Sequence, residues 1–445
     1  MPMTYDDAVR YLMTLGRELA SPRQPAPSTA ASRVQKFDLR NIVLLAERVG
    51  QPHRAVRCAH IAGTNGKGST AAMLESILRH AGLDTGLYTS PHLEKINERI
   101  RINGEEISDP DFAASFARIH ALIEQLLASG ELAAHPTFFE CLTAMTFDVF
   151  ARERLGFAVY EVGMGGRLDS TNIVVPEVAV ITQIDFDHEN YLGHSIEQIA
   201  GEKAGIIKPG VPVVCAAGRP EARAVIAERC RECGSRLVDI DESPGPELRA
   251  ALPLPGRFQI RNAQTAVAAV GLLRGRGFQI PDEAVARGLR DVRWPGRLEK
   301  IQECPAVYLD GTHNPAGARE VLAFWEENLA GRRIHLVFGA VRDKAVDEIA
   351  GLLFPRASTV ILTQPAQPRA ISATVLAEIT GHLARRREVI ADPAAALERV
   401  LEIAAPDDVV FATGSLYLAG DLRRWWRERA QKQASPQPAA GRSSR

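Results

Sequence analysis

The chain lacks an excess of charge of either sign. It has 53 Lys and Arg residues against 54 Asp and Glu residues, which gives a formal net charge of −1 at pH 7. Proteins that bind nucleic acid or anionic membranes through a broad electrostatic field need an excess of positive charge. We therefore expect no nucleic acid and no membrane among its partners, although local basic sites are compatible with this composition.

Long hydrophobic runs are also missing. The apolar runs, such as residues 263–273, are far shorter than the roughly 20 residues that cross a bilayer. Residues 1–10 include Asp6 and Asp7 and have no apolar core of the kind found in a signal peptide. These absences predict a cytoplasmic protein.

Cysteine is too sparse and scattered for a disulfide framework. The six cysteines stand at positions 58, 141, 215, 230, 233 and 304 of a long chain. Cys230 and Cys233 form a lone CxxC pair, whereas a structural zinc site normally needs a second ligand pair at suitable spacing. We interpret the pair as ordinary residues at the end of a helix.

Short apolar runs alternate with helical stretches in the first two thirds of the chain. A run at residues 56–62 precedes a glycine-rich turn, and apolar side chains then recur at helical spacing over residues 69–81. Further runs lie at residues 157–162, 178–184 and 211–215. Strands that alternate with helices are typical of a parallel sheet covered by helices.

The alternation starts again after Trp294-Pro295-Gly296. We predict buried strands at residues 306–309, 334–338, 360–363 and 409–413, with helices such as 315–329 and 393–403 between them. The length of 445 residues suits two or three domains. The prediction is an α/β protein with an N-terminal P-loop-type ATPase domain on a parallel-sheet core, residues 1–296, and a smaller Rossmann-like α/β domain, residues 297–430.

Two stretches have the composition of irregular chain. Residues 21–32 contain three prolines together with Ser, Thr and Ala, which predicts a mobile loop. Residues 431–445 are polar and rich in Pro and Ser, which predicts a disordered tail.

A glycine-rich loop lies between the first strand and the first strong helix. Its residues are Gly63, Thr64, Asn65, Gly66, Lys67, Gly68 and Ser69. Glycines let backbone N–H groups curl around a phosphate, a lysine offsets the charge of the β- and γ-phosphates, and a hydroxyl faces the metal. The common P-loop pattern has Ser or Thr directly after Lys, whereas Gly68 intervenes here. The alternative is an ordinary strand-to-helix turn, but the flanking elements favour a variant phosphate loop.

Acids and a histidine follow two of the predicted strands. Glu161 ends one strand and precedes a glycine-rich turn, and Asp185 to Glu189, with His188 among them, follow another. Open parallel sheets build their sites at this edge, and carboxylates suit Mg²⁺. Taken alone, Glu161 favours a metal ligand over a capping or surface carboxylate. His188 is equally compatible with a structural or surface histidine, and Lys203 with a solvated helix lysine.

Seven motifs stand in the order in which one enzyme family has them. They are GTNGKGS (63–69), TSPHL (89–93), NERI (97–100), EVGMGGRLDSTN (161–172), DHENYLGHSIEQIAGEKAGIIKPG (187–210), WPGRLE (294–299) and DGTHNP (310–315). In these motifs the chain resembles folylpolyglutamate synthase/dihydrofolate synthase, within the wider Mur ligase family. The resemblance covers residues 5 to 426, nearly the whole chain.

The resemblance implies ligands for ATP and for Mg²⁺ at two sites. Ser90 and Glu161 match metal ligands of the family, and His188 matches a histidine that holds a second Mg²⁺. Lys203 matches a lysine that the family carries as a carbamate. Such a carbamylated lysine offers an anionic oxygen, whereas a bare ammonium would repel the metal.

The resemblance also implies contacts to the nucleotide. Lys67 and Ser69 match the phosphate-loop residues, and Asn262 matches an asparagine that faces the adenine. Three residues match those that reach the nucleotide from the second domain: Arg297, Asp310 and His313. Without the resemblance, an ordinary turn at residues 310–314 remains an alternative, because Asp-Gly and Asn-Pro are turn dipeptides. The expected catalytic residues are Lys67, His188, Lys203, Asp310 and His313.

The implied reaction is the ATP-dependent addition of L-glutamate to dihydropteroate or to the glutamate tail of a reduced folate, through an acyl phosphate. The motifs do not separate the two acceptors, and we expect an enzyme that uses both, acting as a monomer on small-molecule substrates. The expected acceptor segments are residues 89–99 and 136–143.

Two other functions remain open on the sequence. One is a Mur ligase that acts on a cell-wall nucleotide precursor, although the 62 residues before Gly63 are short for the additional domain of such enzymes. The other is a nucleotide switch without catalysis, which would not need His188, Lys203 or a second domain.

Overall fold

The computed structural model describes residues 3–15, 38–240, 252–342 and 344–434. The predicted mobile loop at residues 21–32 and residues 435–445 of the predicted tail lie outside these ranges. The chain divides into two compact units, Met1–Trp294 and Pro295–Arg445. The predicted boundary, between residues 296 and 297, falls slightly later.

The first unit is built on an eight-stranded sheet with the order β4-β3-β2-β5-β1-β6-β7-β8 within the described residues. Its strands are β1 Cys58–Ala62, β2 Thr85–Tyr88, β3 Ile100–Ile102, β4 Glu105–Glu106, β5 Phe157–Glu161, β6 Val178–Ile181, β7 Val213–Cys215 and β8 Leu237–Asp239. Pairings among β2, β5, β1, β6, β7 and β8 are parallel, and β3 and β4 pair antiparallel at one edge.

Helices cover both faces of this sheet. They are α1 Tyr5–Thr14, α2 Arg40–Arg48, α3 Lys67–His80, α4 Asp109–Ala128, α5 Phe138–Arg152, α6 Glu189–Leu192, α7 Ile196–Ala204, α8 Pro220–Glu232, α9 Arg257–Gly275 and α10 Asp282–Asp291. Successive strand residues point to opposite faces. Cys58 of β1 accordingly packs with α1, α2, α4 and α5, whereas Ala59 packs with α3, α9 and α10.

The observed end of β6 and the observed start of α3 differ from the predicted bounds, and both lie next to the phosphate loop. The apolar run 178–184 predicts a long strand, but β6 ends at Ile181. Gln183 then accepts hydrogen bonds from Thr64 and Asn65, so this backbone is used by the loop rather than by a neighbouring strand. Helix α3 begins at Lys67, two residues before the predicted start and directly after Gly66, whose left-handed backbone conformation ends the loop.

The second unit is a smaller α/β layer structure. Its sheet has the order β13-β12-β11-β14-β10-β9, with β9 Glu299–Glu303, β10 Ala306–Leu309, β11 Ile334–Phe338, β12 Thr359–Leu362, β13 Arg387–Val389 and β14 Val409–Thr413. The edge strand β9 is antiparallel to β10, and the other pairings are parallel. Its helices are α11 Pro315–Asn328, α12 Val346–Leu353, α13 Ala373–Thr380, α14 Pro393–Ile403 and α15 Leu416–Ala434.

Helix α15 corrects the predicted start of the tail. Residues 431–434, assigned to a disordered tail by their polar composition, continue the helix to Ala434. Gln, Lys and Ala are good helix formers despite their polarity, which explains the difference.

The described residues agree with the interpretation of the CxxC pair. Cys230 is buried in α8, Cys233 follows the last residue of that helix, and all six cysteines are free thiols. None of the described helices is long and apolar enough to cross a membrane.

Candidate functional site

The glycine-rich loop joins β1 to α3 at the carboxyl end of the first sheet. Gly63 and Gly66 both have positive φ angles, of 155° and 88°. A Cβ atom at Gly63 would overlap the Thr182 hydroxyl, and one at Gly66 would overlap the carboxamide of Asn262. Glycine is therefore required at both positions by backbone conformation and by close neighbours.

The loop is fixed to the chain that follows β6. The N–H groups of Thr64 and Asn65 donate to Gln183 O at 2.7 and 3.3 Å. The Thr64 hydroxyl donates to Asp185 O at 3.0 Å and accepts from Asp185 N at 3.1 Å. With these groups used internally, the N–H donors that suit a phosphate are those of the first turn of α3, where an α-helix leaves its N–H groups without helical partners.

Two lysine amines share one carbonyl oxygen of this loop. Lys67 Nζ donates to Gly63 O at 3.0 Å and to Thr64 O at 3.1 Å, and Lys203 Nζ donates to Gly63 O at 2.8 Å. Lys203 is only 3% exposed. Burial, together with repulsion from Lys67, lowers the pKa of Lys203 to about 7, against an opposing effect of Asp187 and Asp169. A substantial fraction of this buried amine is therefore unprotonated and nucleophilic near neutral pH.

Glu161 lies beside the loop, at the end of the neighbouring strand. It is paired in register with Ile61 of β1 and is 4% exposed. Its carboxylate accepts a hydrogen bond from Ser90 N at 3.0 Å. The two predicted metal-binding residues, Ser90 and Glu161, are therefore in direct contact at this edge of the sheet.

His188 stands just beyond the point where Asp185 meets the loop. It has a left-handed backbone conformation, with φ of 54°, and directly precedes α6. Its ring Nε2 is 3.8 Å from a carboxylate oxygen of Asp187, which also accepts from His188 N at 2.9 Å. Asp185 is paired with Arg219 at 2.8 Å. The predicted acids and histidine thus lie at the same sheet edge as Glu161.

Asp169 is a site residue that the sequence analysis did not identify. One of its carboxylate oxygens accepts from Gly163 N at 2.9 Å and Met164 N at 3.0 Å, and the other accepts from the N–H and hydroxyl of Thr171 at 3.0 and 2.5 Å. Burial raises the pKa of this carboxyl group. Asp169 fixes the turn that follows Glu161; its position within a glycine-rich motif was the available signal.

The same turn holds the end of α7, which carries Lys203. Asn172 Nδ2 donates to Arg167 O at 3.0 Å and to Gly205 O at 3.1 Å. Arg167 N donates to Glu202 O at 2.8 Å. The backbone around Lys203 is therefore fixed to the turn after Glu161, which the spacing of the sequence did not reveal.

Asn262 of α9 lies against the phosphate loop. It is 8% exposed, its Oδ1 faces Gly66, and its Nδ2 donates to Gln259 Oε1 at 2.9 Å. The structure therefore brings this predicted nucleotide contact to Gly66, although the two residues are nearly 200 positions apart in the sequence.

Within the second unit, Arg297, Asp310 and His313 lie together at the end of β10. The oxygens of Asp310 accept from Leu298 N and Thr312 N, each at 2.9 Å, so this buried carboxylate holds the turn, as the turn dipeptides suggest. Arg297 Nη1 donates to Gly296 O at 3.1 Å. His313 Nδ1 is 2.8 Å from Gly311 O and therefore carries the proton, since a carbonyl only accepts.

No group of three or more His, Cys, Asp and Glu side chains is arranged to hold a metal ion in the part of the chain that the structure describes. The neighbouring Glu161 carboxylate and Ser90 hydroxyl offer oxygen ligands, but they do not surround a metal ion completely. That donor set suits Mg²⁺, which usually takes one or two protein carboxylates and completes its shell with water and phosphate oxygens.

Comparison with known proteins gives matches over most of the chain. The Mur ligase middle domain matches residues 61–232, and the Mur ligase, glutamate ligase domain matches residues 296–416. The dihydrofolate synthase/folylpolyglutamate synthase of Bacillus subtilis is 36% identical over 402 residues, which cover 85% of this chain and 93% of that protein.

Solved structures agree with these matches. FolC of Escherichia coli in complex with DHPP and ADP has a TM-score of 0.81 and 29% identity, covering 95% of this chain and 98% of that one. A bifunctional folylpolyglutamate synthase/dihydrofolate synthase of Yersinia pestis complexed with AMPPNP and Mn has a TM-score of 0.78 and 30% identity, covering 95% of this chain and 98% of that one.

Proposed function

The chain belongs to the dihydrofolate synthase/folylpolyglutamate synthase family of Mur ligases, and from this premise we propose how its residues carry out the family's reaction. It is an ATP-dependent ligase that adds L-glutamate to folates. The proposal extends to both acceptors, dihydropteroate and the glutamate tail of a reduced folate, and to the roles of individual residues.

The observation that carries the proposal is the convergence of the phosphate loop and Lys203 at Gly63. Lys203 lies 140 residues further along the chain than Gly63, and it has no reason to be buried beside a second lysine for stability alone. A pair of amines at one end of a parallel sheet suits a site that receives several negative charges.

The first unit supplies the groups for ATP. The first turn of α3 and the amine of Lys67 bind the phosphates, and binding would move Lys67 from its bonds to Gly63 O and Thr64 O onto phosphate oxygens. Ser69 supplies a hydroxyl, and Asn262, beside Gly66, faces the adenine. Arg297, Asp310 and His313 of the second unit are proposed nucleotide contacts.

The proposal includes divalent metal at two positions. Ser90 and Glu161 would hold one Mg²⁺, and His188 and Lys203 the other. When bound, the metal ions neutralise phosphate charge and polarise the reacting oxygens. The fit of Lys203 depends on its conversion to a carbamate, which the pKa of about 7 favours because CO₂ reacts with the unprotonated amine.

The chemistry proceeds in two transfers. A carboxylate oxygen of the folate attacks the γ-phosphorus of ATP, the bond to the β-phosphate oxygen breaks, and ADP leaves. The glutamate amine then attacks the acyl carbon, loses a proton, and displaces inorganic phosphate as the amide bond forms. Lys67 and the N–H groups of α3 offset the repulsion between the folate carboxylate and ATP.

ADP release from the purified chain tests the proposal. With Mg²⁺ and ATP, we expect release that requires both glutamate and an acceptor, with dihydropteroate and with a reduced folate monoglutamate alike. Release with a single acceptor would reject the dual activity and retain the ligase. Glutamate-independent release, or none with either acceptor, would overturn the proposed function.

A further inference from the structure

Helix α1 links two loops that are far apart in the sequence. The Tyr5 hydroxyl donates to Asn97 Oδ1 at 2.6 Å, and the Tyr11 hydroxyl lies 3.0 Å from His135 Nε2. Asn97 lies in the first acceptor segment, residues 89–99, and His135 directly precedes the second, residues 136–143. One short helix therefore contacts the first of the two segments expected to bind the acceptor and the residue that precedes the second.

The first acceptor segment contains a closed turn. The carboxylate of Glu98 accepts three backbone N–H bonds at 2.7, 2.7 and 2.8 Å, from Leu93, Glu94 and Lys95. One side chain therefore ties together three N–H groups of the turn.

Asn97 connects this turn to the body of the protein. It is 2% exposed, and its Nδ2 donates to Ile107 O at 2.7 Å and to Asp109 Oδ1 at 2.9 Å. Tyr5 supplies the donor for its Oδ1 and packs edge-on against Phe112 at 5.6 Å. Burial, with Asp109 adding to it, raises the pKa of Tyr5 to about 12, so its hydroxyl stays protonated as the donor.

Tyr11 acts on the start of the second acceptor segment. The Tyr11 hydroxyl lies 3.0 Å from His135 Nε2 and 3.4 Å from Glu124 Oε1. His135 Nδ1 lies 2.7 Å from Pro136 O and carries a proton, so in the neutral ring Nε2 accepts from the Tyr11 hydroxyl at the shorter of those two distances. Thr137, two residues further, caps α5, and its N–H and hydroxyl are bonded to Glu140 at 2.7 and 2.8 Å. The residues that lead into α5 are thus fixed by Tyr11 of α1 before Pro136 and by Glu140 of α5 after it.

The two acceptor segments meet beside the Glu161 turn. The Arg99 guanidinium lies 5.2 Å from the centre of the Phe138 ring, and Arg99 Nε donates to His92 Nδ1 at 2.9 Å. Phe139 packs against Tyr88 at 5.8 Å, and a Cβ at Gly163 would be 2.6 Å from its ring. A displacement of either segment would change the space next to Glu161.

We infer that α1 positions the folate-binding segments through Tyr5 and Tyr11, so that these hydroxyls set the apparent affinity for the acceptor and not that for ATP. The inference rests on the proposed function. Both are positioning residues, since Tyr5 acts through Asn97 and Tyr11 through His135. The phosphate loop makes none of the contacts described for α1.

Steady-state kinetics of Tyr5→Phe and Tyr11→Phe test the inference. Each change removes one hydroxyl and keeps the ring that packs in the core, so the variants retain the fold. Loss of one hydrogen bond corresponds to about a 2- to 10-fold change in an equilibrium constant. We expect the KM for dihydropteroate or reduced folate to rise by that factor in each variant, with kcat and the KM for ATP unchanged.

Thr14→Val is the matched control, since it removes an exposed hydroxyl on the same helix that donates to Tyr11 O. It should leave every constant unchanged. An unchanged acceptor KM in both tyrosine variants, or equal increases in the KM for ATP and acceptor, would overturn the inference. Wild-type protein without glutamate-dependent ADP release would instead reject the proposed function. Direct titration of the acceptor by fluorescence gives the same comparison without turnover.

Discussion

At the scale of single residues, the burial of Lys203 beside Lys67 determines what its side chain can do. A buried amine beside a second lysine suits a group that is modified, and the proposed carbamate would place a carboxylate-like anion at the same position. Lys203→Ala should lower turnover by about 10²- to 10³-fold or more, as for other charged groups that act on a reacting oxygen. Steady-state ADP release measures it.

A chemical rescue separates modification from simple loss of the side chain. If Lys203 is carbamylated, formate or acetate should restore part of the activity of Lys203→Ala, because a small carboxylate would fit the space left by the modified side chain, and should not raise that of the wild type. Turnover close to normal in Lys203→Ala would contradict the metal-binding role.

His60 leads to a separate prediction, about how the stability of the protein depends on pH. It is fully buried, and its Nε2 donates to the Thr171 hydroxyl at 2.8 Å, since that hydroxyl itself donates to Asp169. Burial, then Lys208, lowers the pKa of His60 to about 3 from an ordinary value of 6.5. Between those two values the unfolded chain binds a proton that the folded chain does not, so stability falls as the pH falls.

The loss approaches about 1.4 kcal/mol of unfolding free energy per pH unit once the pH is well below 6.5, and it is about half of that between pH 7 and pH 6. Urea unfolding at pH 7, 6 and 5 should show a steeper loss in the wild type than in His60→Leu, which has no group to titrate there. Parallel stability curves for the two proteins would rule out the depressed pKa.

At the scale of elements, the close approach of α7 to the turn 165–167 positions Lys203. A Cβ added at Gly205 would lie 2.5 Å from Arg167 Cα. The backbone of Gly205, with φ of −60°, accommodates alanine, so the effect of Gly205→Ala is steric. We expect a loss of about 1–3 kcal/mol of stability, typical of overpacking, and a larger fall in kcat than rise in the KM for ATP.

Gly201→Ala is the control on the same helix, because nothing lies within 4 Å of the added Cβ. It should leave activity unchanged and stabilise the protein by about 0.5–1 kcal/mol, as expected for alanine in a helix interior. Equal activity of the two variants in steady-state assays would show that the contact with Arg167 does not position Lys203.

The sequence predicts the buried strands better than it predicts the edges and the supporting residues. Runs such as 306–309, 334–338 and 409–413 are strands with the predicted bounds, because a strand buried on both faces is a continuous apolar run. Six short strands of the described residues were not predicted: β2, β3, β4, β8, β9 and β13. Strands β3, β4, β8, β9 and β13 lie at or next to sheet edges, whereas β2 is buried but has only four residues, with Gly86 among them.

The residues of the candidate site also fall into those that the sequence pattern reveals and those that it does not. The phosphate loop, Glu161 and His188 stand at strand ends, which spacing alone can reveal. Asp169 and Asn172 lie in a motif that was recognised, but their bonds to Gly163 and Gly205 depend on how two turns meet in space. Tyr5 and Tyr11 reach partners about a hundred residues away, which no local pattern encodes.

At the scale of the whole molecule, the two units have separate probes of unfolding. Of the four tryptophans, Trp325, Trp425 and Trp426 belong to the second unit, and Trp294 is the last residue of the first. The fully buried Cys58 and Cys141 belong to the first unit. Tryptophan fluorescence therefore reports mainly on the second unit, and labelling of these thiols reports on the first.

Asp408 offers a change confined to the second unit. It is 4% exposed, and its carboxylate accepts from His335 Nε2 at 3.0 Å, Arg333 Nε at 3.0 Å and Ala405 N at 2.9 Å. Asp408→Asn replaces one of two accepting oxygens with a donor, which then faces another donor. The expected cost is about 1–3 kcal/mol, and Asp407→Asn at the exposed neighbouring position should cost almost nothing.

Guanidinium unfolding of Asp408→Asn should shift the fluorescence midpoint to lower denaturant while the midpoint for labelling of Cys58 and Cys141 stays at the wild-type value. The physical reason is that each unit buries its own apolar side chains, so that a defect in one core acts first on the transition of that unit. If both midpoints moved together by the same amount, the two units would unfold as one cooperative structure, and a single free energy of unfolding would describe the chain.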